Sequence, residues 1–417
     1  MKENQSLEFK ERITNTFLKT VSAYANFGDG IIQFGITDDG KVLGVEDAES
    51  TCLDIENRIN DSISPIPDYE LSVDSETNVI TLTVKEGSFK PYYYKAKAYK
   101  RNDTATIEVD RIELNHLILE GENRSYDELT AKGNEFHFSI LEQKLKEQLG
   151  VSAINSDILR TLGLLGADGK YKNAGALLAD ENSFYGIDCA RFGDSIDIIL
   201  DREIFEHKSI LKQYDESVAL YRKYYQYDEI EGALRKTVEL IPEKAFREAI
   251  ANALVHRTWD VNSHIRIAMF KDRLEVFSPG GLPKGITQEE YLNGQVSVLR
   301  NPIVASVFFR LNIIESFGTG VQRMNMAYAE SRAKPRHEFS THAIKVVLPV
   351  VSGGEELSED EAIIYNSMNR LGKSSSQIAK TVGFGKNKTL KLLVALEEKG
   401  YVTKLGNGRG IKYLIKS

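Results

Sequence analysis

Apolar positions along the chain recur with two periods, and the switches between them divide it into segments. Ile13, Phe17, Leu18 and Val21 keep helical spacing. NFGDG at 26–30 breaks that pattern, and the apolar run IIQFGI after it predicts a strand. Asp39-Gly40 is a hairpin signal, with VLGV at 42–45 expected as the return strand. Val79–Val84 and Tyr92–Arg101 read as further strands, and the unit closes near residue 118. Residues 121–235 read as helices with a strand or two. IPEKAFREAIANALVHR at 241–257 predicts a helix with Pro242 in its first turn. Phe246, Ile250, Ala253 and Leu254 form its buried stripe, and Glu248, Asn252 and His256, four apart, line an adjacent polar face. HIRIAMFKDRLEVF alternates out and back around Lys271-Asp272 and runs into the loop SPGGLP at 278–283. Gly318-Thr319-Gly320 precedes another helical pattern.

The last segment begins after the apolar strand IKVVLPVV and a polar, acidic linker. Ser358 with Glu361, and Ser374 with Gln377, have capping-box spacing. Gly383 and Gly385 precede a third helix with the stripe Leu390, Leu393, Val394 and Leu396, and Gly400 is placed to end it. YVTKL and IKYLIK read as strands flanking GNGRG. Three helices and a hairpin over 357–417 predict a winged helix-turn-helix.

Charge sharpens this division. The chain holds 53 Lys/Arg against 61 Asp/Glu, a net −8. From Lys373 to Ser417 there are ten basic and two acidic residues, or +8, so the rest carries −16. A basic end on an acidic body points to separate modules. Lys386, Asn387, Lys388 and Lys391 open the expected recognition helix, while Lys404, Arg409 and Lys412 flank the wing. The lysines suit phosphate contact, and Asn387 suits a base edge. Protein contacts with solvated lysines are the other reading of the same unit.

A hydrophobic share of 41% and a charged share of 27% describe a soluble globular chain. MKENQSLEFKER has no apolar core of the secretory kind, and no apolar run approaches a membrane span. Cys52 and Cys189 are far apart, so a reducing cytoplasm is the expected setting.

LEFKE, then VSAYANFGDGIIQFGITDDGKVLGV, then YYYKAKAYKRND resembles the Schlafen-type AlbA-like domain over about residues 1–120. NFGDG departs from the usual adjacent glycines, and Asp29 is a residue that tolerates left-handed backbone angles. Lys90, Lys95, Lys97, Lys100 and Arg101 interleave with tyrosines, the composition of a single-strand nucleic-acid patch. An ordinary strand with inward tyrosines and solvated lysines fits equally. The resemblance implies a ribonuclease pair, E-x4-E, which Glu3 and Glu8 match. With Asp38 as the third acid they would hold a divalent metal ion, whereas helix-dipole capping and a plain turn account for the same residues. SYDELTAKGNEF and NAGALLADE belong to the same resemblance without identifiable chemistry.

The later motifs resemble the GHKL fold of histidine kinases and gyrase-like ATPases. Glu248 and Asn252 match its N box. That match implies ATP bound through Mg²⁺ on Asn252, with Glu248 orienting the attacking water and His256 beside them. Gly280 and Gly281 lie where the adenine-side glycine box falls, and Gly318, Thr319 and Gly320 match the phosphate-cradling one. Arg300-Asn301-Pro302 falls in the lid-like segment. SPGG lacks the family's adenine-reading Asp, leaving Ser278 as the acceptor. Bacterial chains with this combination are labelled transcriptional regulators or ATP-dependent helicases, but GFGKNKT and GADGKYK both miss the spacing of a P-loop.

The expectation is an α+β multidomain protein: a Schlafen/AlbA-like α/β domain (1–120), an intermediate α/β segment (121–235), a GHKL-like α/β sandwich (236–351) and a winged helix-turn-helix (357–417). The leading reading is a homo-oligomeric, DNA-binding transcriptional regulator that senses a nucleotide. Its N-terminal domain would contact RNA or single-stranded nucleic acid. A metal-dependent ribonuclease, with a defence role, and a GHKL-type ATPase are the alternatives.

Overall fold

The computed structural model describes residues 2–231, 234–283, 285–294, 298–315, 318–351, 358–368, 372–399, 401–406 and 411–415.

The N-terminal part runs β1 (Leu7–Lys10), α1 (Phe17–Phe27), β2 (Gly30–Phe34), α2 (Ala48–Ser62), β3 (Ile63–Ser64), β4 (Tyr69–Val73), β5 (Ile80–Val84), β6 (Tyr93–Tyr94), β7 (Tyr99–Asn102), β8 (Ala105–Glu108) and α3 (Arg111–Gly121). One sheet has the order β1-β2-β5-β4, with β1 parallel to β2 and the other pairs antiparallel. Phe17, Leu18 and Val21 of α1 are buried against Ile32, Phe34, Leu82 and Val84, which gives this part its own core.

Two local expectations change here. VLGV does not return as a strand: Val42 makes a single bridge to Ile36, and the amides of Leu43 and Gly44 donate to the Gly35 carbonyl. Both edges of β2 are already taken by β1 and β5, so no ladder is left for a hairpin partner. Asp29 does not take the left-handed conformation, which falls to Gly28 at φ 146°. The Asp29 carboxylate instead accepts from the Glu86 amide and from Lys85 Nζ, both bonds pinning the end of β5.

The middle of the chain supplies α4 (Ser139–Leu149), α5 (Ser156–Thr161), α6 (Asn173–Leu178), β9 (Ile187–Phe192), β10 (Ile199–Phe205), α7 (Ile210–Tyr225), β11 (Gln226–Glu231) and β12 (Leu234–Glu239). Then follow α8 (Glu243–His256), β13 (Ile265–Met269), β14 (Arg273–Pro279), α9 (Gln288–Asn293), α10 (Pro302–Arg310), α11 (Gly320–Ala327), β15 (Arg336–Phe339) and β16 (Ala343–Pro349). A six-stranded sheet has the order β10-β9-β13-β14-β16-β15, antiparallel except where β9 and β13 pair in parallel. Strands from both sides of residue 235 therefore share one sheet. They also share one core, which runs from Leu141 and Tyr221 through Phe246 and Ile267 to Phe308 and Leu348. α7 and α8 pack on this sheet.

The C-terminal part holds α12 (Glu359–Asn366), α13 (Ser375–Val382), α14 (Lys386–Glu398), β17 (Val402–Leu405) and β18 (Lys412–Ile415). Both expected capping boxes form, Ser358 with Glu361 and Ser374 with Gln377. Ile364, Ile378, Leu393, Leu396 and Val402 make a small core, and β17 pairs antiparallel with β18. The chain is thus an α+β multidomain protein. No helix among the described residues is long and apolar enough to cross a membrane.

Candidate functional site

Burial of Phe246, Ile250, Ala253 and Leu254 fixes the rotation of α8 about its axis. That rotation brings Glu248, Asn252 and His256 together on the wall of a cavity of about 200 Å³. Gly318, Gly320 and Val321 line the facing side, and Pro302, Ala305 and Phe309 of α10 with Ile286, Tyr291, Leu299 and Ile314 complete a largely apolar enclosure. Gly320 is packed against the Glu248 carboxylate and the Asn252 amide so closely that a Cβ has no room.

The charges in the cavity are limited. Burial raises the Glu248 carboxyl above the usual carboxylate range, while Arg323 and a hydrogen bond from Asn252 pull it back. Burial and the nearby Arg300 guanidinium push the half-buried His256 imidazole down to about 4, so it is neutral at pH 7. Glu315 also lines the cavity, held 2.9 Å from Arg323. No Lys or Arg stands among the described lining residues.

The SPGG residues lie elsewhere. Ser278 is buried and its hydroxyl donates to the Ala253 carbonyl at 3.1 Å, so it is not presented to a ligand in the cavity. Gly280 and Gly281 are packed against Thr258, Arg300 and the Ser340–Thr341 backbone. None of the three lines the cavity, and Thr319 serves as the N-cap residue of α11.

Arg300 and Asn301, expected in a lid, are instead clamps on the end of α8. Arg300 donates to the carbonyls of His256 (2.6 Å) and Gly281 (2.9 Å). Buried Asn301 donates to those of Val255 (2.7 Å) and Arg257 (2.9 Å), satisfying acceptors that a helix end leaves open.

Asp127 is a structural partner that the sequence did not reveal. It lies in SYDE, far from α10 in sequence, yet its buried carboxylate accepts from the Ile303 (2.8 Å) and Val304 (3.0 Å) amides at the start of α10. The local signal was the Ser125–Glu128 capping box; which helix Asp127 would cap was set by tertiary packing.

The N-terminal carboxylates do not converge. Glu3 accepts from the Phe9 amide at 2.8 Å. Glu8 is buried in contact with Arg101, Lys10 and the Thr20 hydroxyl. Asp38 is exposed in a turn. No group of three His, Cys, Asp or Glu able to hold a metal ion occurs among the described residues.

The basic strand region is also partly committed. The side chain of Lys90 is 2% exposed and pairs with Glu86 and Glu120, and that of Arg101 is 4% exposed on Glu8. Neither is presented to a ligand. Lys97 pairs with Glu108 and Lys100 with Glu113, while Lys95 lies 5.3 Å from the centre of the Tyr94 ring. Tyr92, Tyr94 and Tyr99 are core residues.

In the C-terminal part, Lys386, Asn387, Lys388 and Lys391 are all exposed at the start of α14. Lys388 is 2.7 Å from Asp360, and Lys404, exposed on β17, pairs with Glu397. Lys412 is exposed on β18. Arg409 and Gly400 lie outside the described residues.

Comparison with known families agrees with this layout. Residues 3–110 match the family described as "Schlafen, AlbA_2". Residues 262–348 match HATPase_c_4, described as "Putative ATP-dependent DNA helicase recG C-terminal". The chain carries a Schlafen AlbA_2 domain and a recG-like ATPase-type domain. No curated protein matches it. Among solved structures, the DIP2311 protein from Corynebacterium diphtheriae aligns at 22% identity over 99% of this chain and 92% of that one, with a TM-score of 0.49.

Proposed function

We propose that this protein is a nucleotide-responsive, DNA-binding regulator of transcription. In this reading ATP with Mg²⁺ occupies the cavity of the ATPase-type domain, and the C-terminal three-helix unit acts as a winged helix on duplex DNA. The observation that carries it is the convergence of Glu248, Asn252 and His256 with Gly318 and Gly320 around one apolar cavity.

The residues fit a metal-bridged nucleotide. A carboxylate accepts but does not donate, so the Asn252 amide nitrogen faces Glu248 and its oxygen is left for a cation. Gly320 lets the start of α11 pack directly against Glu248 and Asn252, where a Cβ would not fit. Glu248 and Glu315 make the cavity unwelcoming to a bare polyphosphate, so the cation must accompany it. The apolar wall of Ile286, Leu299 and Ile314 suits a base. With Ser278 turned away, base selection rests on shape more than on an acceptor. When bound, Mg²⁺ would neutralise phosphate charge; Asn252 would hold it, and Glu248 would be placed to accept a proton.

For DNA, support comes from four exposed residues at one helix start, within a terminus of charge +8 on an acidic body. The match of residues 262–348 to a family described as a DNA helicase C-terminal part is consistent with a nucleic-acid setting. Calorimetric titration with Mg-ATP, repeated on Asn252→Ala, tests the cavity: wild type binds and the variant does not. A salt-dependent duplex shift, weakened by Lys388→Glu, tests the C-terminus. Unchanged shifts after deleting residues 357–417 would overturn that assignment.

A further inference from the structure

The cavity and the C-terminal unit are linked by one short element. α11 begins at the cavity, where Gly320 lies against Glu248 and Asn252 and Val321 forms part of the wall. Its far end is held in two ways. Tyr328 is fully buried, and its hydroxyl donates to the Pro349 carbonyl (2.8 Å), at the end of the last strand before the C-terminal unit. Lys334 Nζ donates to the carbonyls of Tyr328 and Ala329, closing the helix end.

The loop so fixed presents Arg332 to the C-terminal unit. Its guanidinium lies 3.6 Å from the centre of the Tyr365 ring and 4.8 Å from that of Tyr401. Tyr365 belongs to α12 and Tyr401 precedes β17, and the two rings meet edge to face at 5.9 Å. One cation thus grips two rings that the small core already holds together. Tyr401 lies past the end of α14 opposite Lys386, about 20 Å along the helix at 1.5 Å per residue, while Tyr365 lies on α12, whose Asp360 pairs with Lys388 at 2.7 Å.

We propose that α11 and the loop after it form a lever: filling the cavity shifts the Gly320 end, and Arg332 passes that shift to the C-terminal unit, changing how it meets DNA. This inference rests on the function proposed above. α11 has no slack at either end, with its start on the α8 carboxylate and its finish on a buried tyrosine, so it moves as a body. Arg332 is a positioning residue that touches neither ligand, and its coupling must be reciprocal.

The test uses the full chain and two separate readouts. Anisotropy of a labelled mixed-sequence duplex is measured with and without saturating Mg-ATP, and Mg-ATP binding is measured by calorimetry. Wild type should change its duplex affinity about fivefold or more on adding Mg-ATP. Arg332→Ala should bind each ligand as wild type does but lose that response, and Arg332→Lys, which keeps a cation on the rings, should retain part of it. An Arg332→Ala protein that responds like wild type overturns the lever and leaves the proposed function standing; a wild type that binds both ligands independently overturns the lever together with the nucleotide response of the proposed function, leaving only its two binding activities. A wild type that binds no Mg-ATP overturns both.

Discussion

Gly320 and Glu248 are in such close contact that the start of α11 tolerates no side chain there. Gly320→Ala should therefore push α11 away from α8 or displace the carboxylate. Overpacking of this kind costs about 1–3 kcal/mol. Nucleotide affinity should fall at least tenfold by calorimetry, with far-ultraviolet circular dichroism unchanged. Wild-type affinity in the variant would show that the ligand does not use this side of the cavity.

Asp127 couples the middle segment to α10 through two backbone amides. Asp127→Ala leaves these donors unmet inside the protein, a loss of about 1–3 kcal/mol. Thermal unfolding should shift down by several degrees. Asp127→Asn keeps an acceptor oxygen and should lose much less. The carboxyl already sits above the usual range because of its burial, so charge is the smaller part of its role.

His256 and His337 are both pushed down to about 4, in each case first by burial. The unfolded chain then binds more protons than the folded one between the ordinary histidine value, near 6.5, and 4. Their contribution is fully present above about 6.5 and is lost as pH falls toward 4. His116 opposes this trend, since its bond to Asp260 raises its value and supports folding at lower pH. Denaturant midpoints measured from pH 7 to 4 should fall. The double variant His256→Gln/His337→Gln should flatten that fall, and an identical slope would refute the assignment.

Glu8 and Arg101, one of them a carboxylate of the expected metal set, form a buried ion pair. Arg101→Ala should cost about 3 kcal/mol, because it removes the main partner of a buried carboxylate. Glu8→Gln/Arg101→Met should recover most of it. Mn²⁺ added to wild type should leave the melting temperature of the N-terminal domain unchanged. A clear rise would reveal a cation site that the ion pair conceals.

The α8 stripe and its polar face could be read directly from spacing, because one helix periodicity sets both. The β13–β14 hairpin was legible from alternation, and the two C-terminal capping boxes from their S-x-x-E and S-x-x-Q spacing. These are local relations, in which each residue's role depends on neighbours within a turn or two. The strand region at 92–101 was half legible. Inward tyrosines were one of two equal readings of its alternation, and composition could not show that Lys90 reaches Glu120 or Arg101 reaches Glu8, each more than twenty residues away.

By itself, then, the sequence determined α1, α8 and the C-terminal helices, the β13–β14 and β17–β18 hairpins, the faces they bury and the uneven distribution of charge, since these follow from residue periodicity and counting. Tertiary structure alone decided that β9 and β10 join the sheet of the ATPase-type domain, and that Ser278 turns from the cavity to the Ala253 carbonyl. It also decided that Arg300 and Asn301 clamp α8, and that Glu8 is neutralised by Arg101. Each of these depends on which groups are left needing a partner once the elements pack. Backbone acceptors at the end of α8 and a carboxylate buried beneath α1 take whichever donor the fold brings within about 3 Å, and sequence spacing does not encode that encounter.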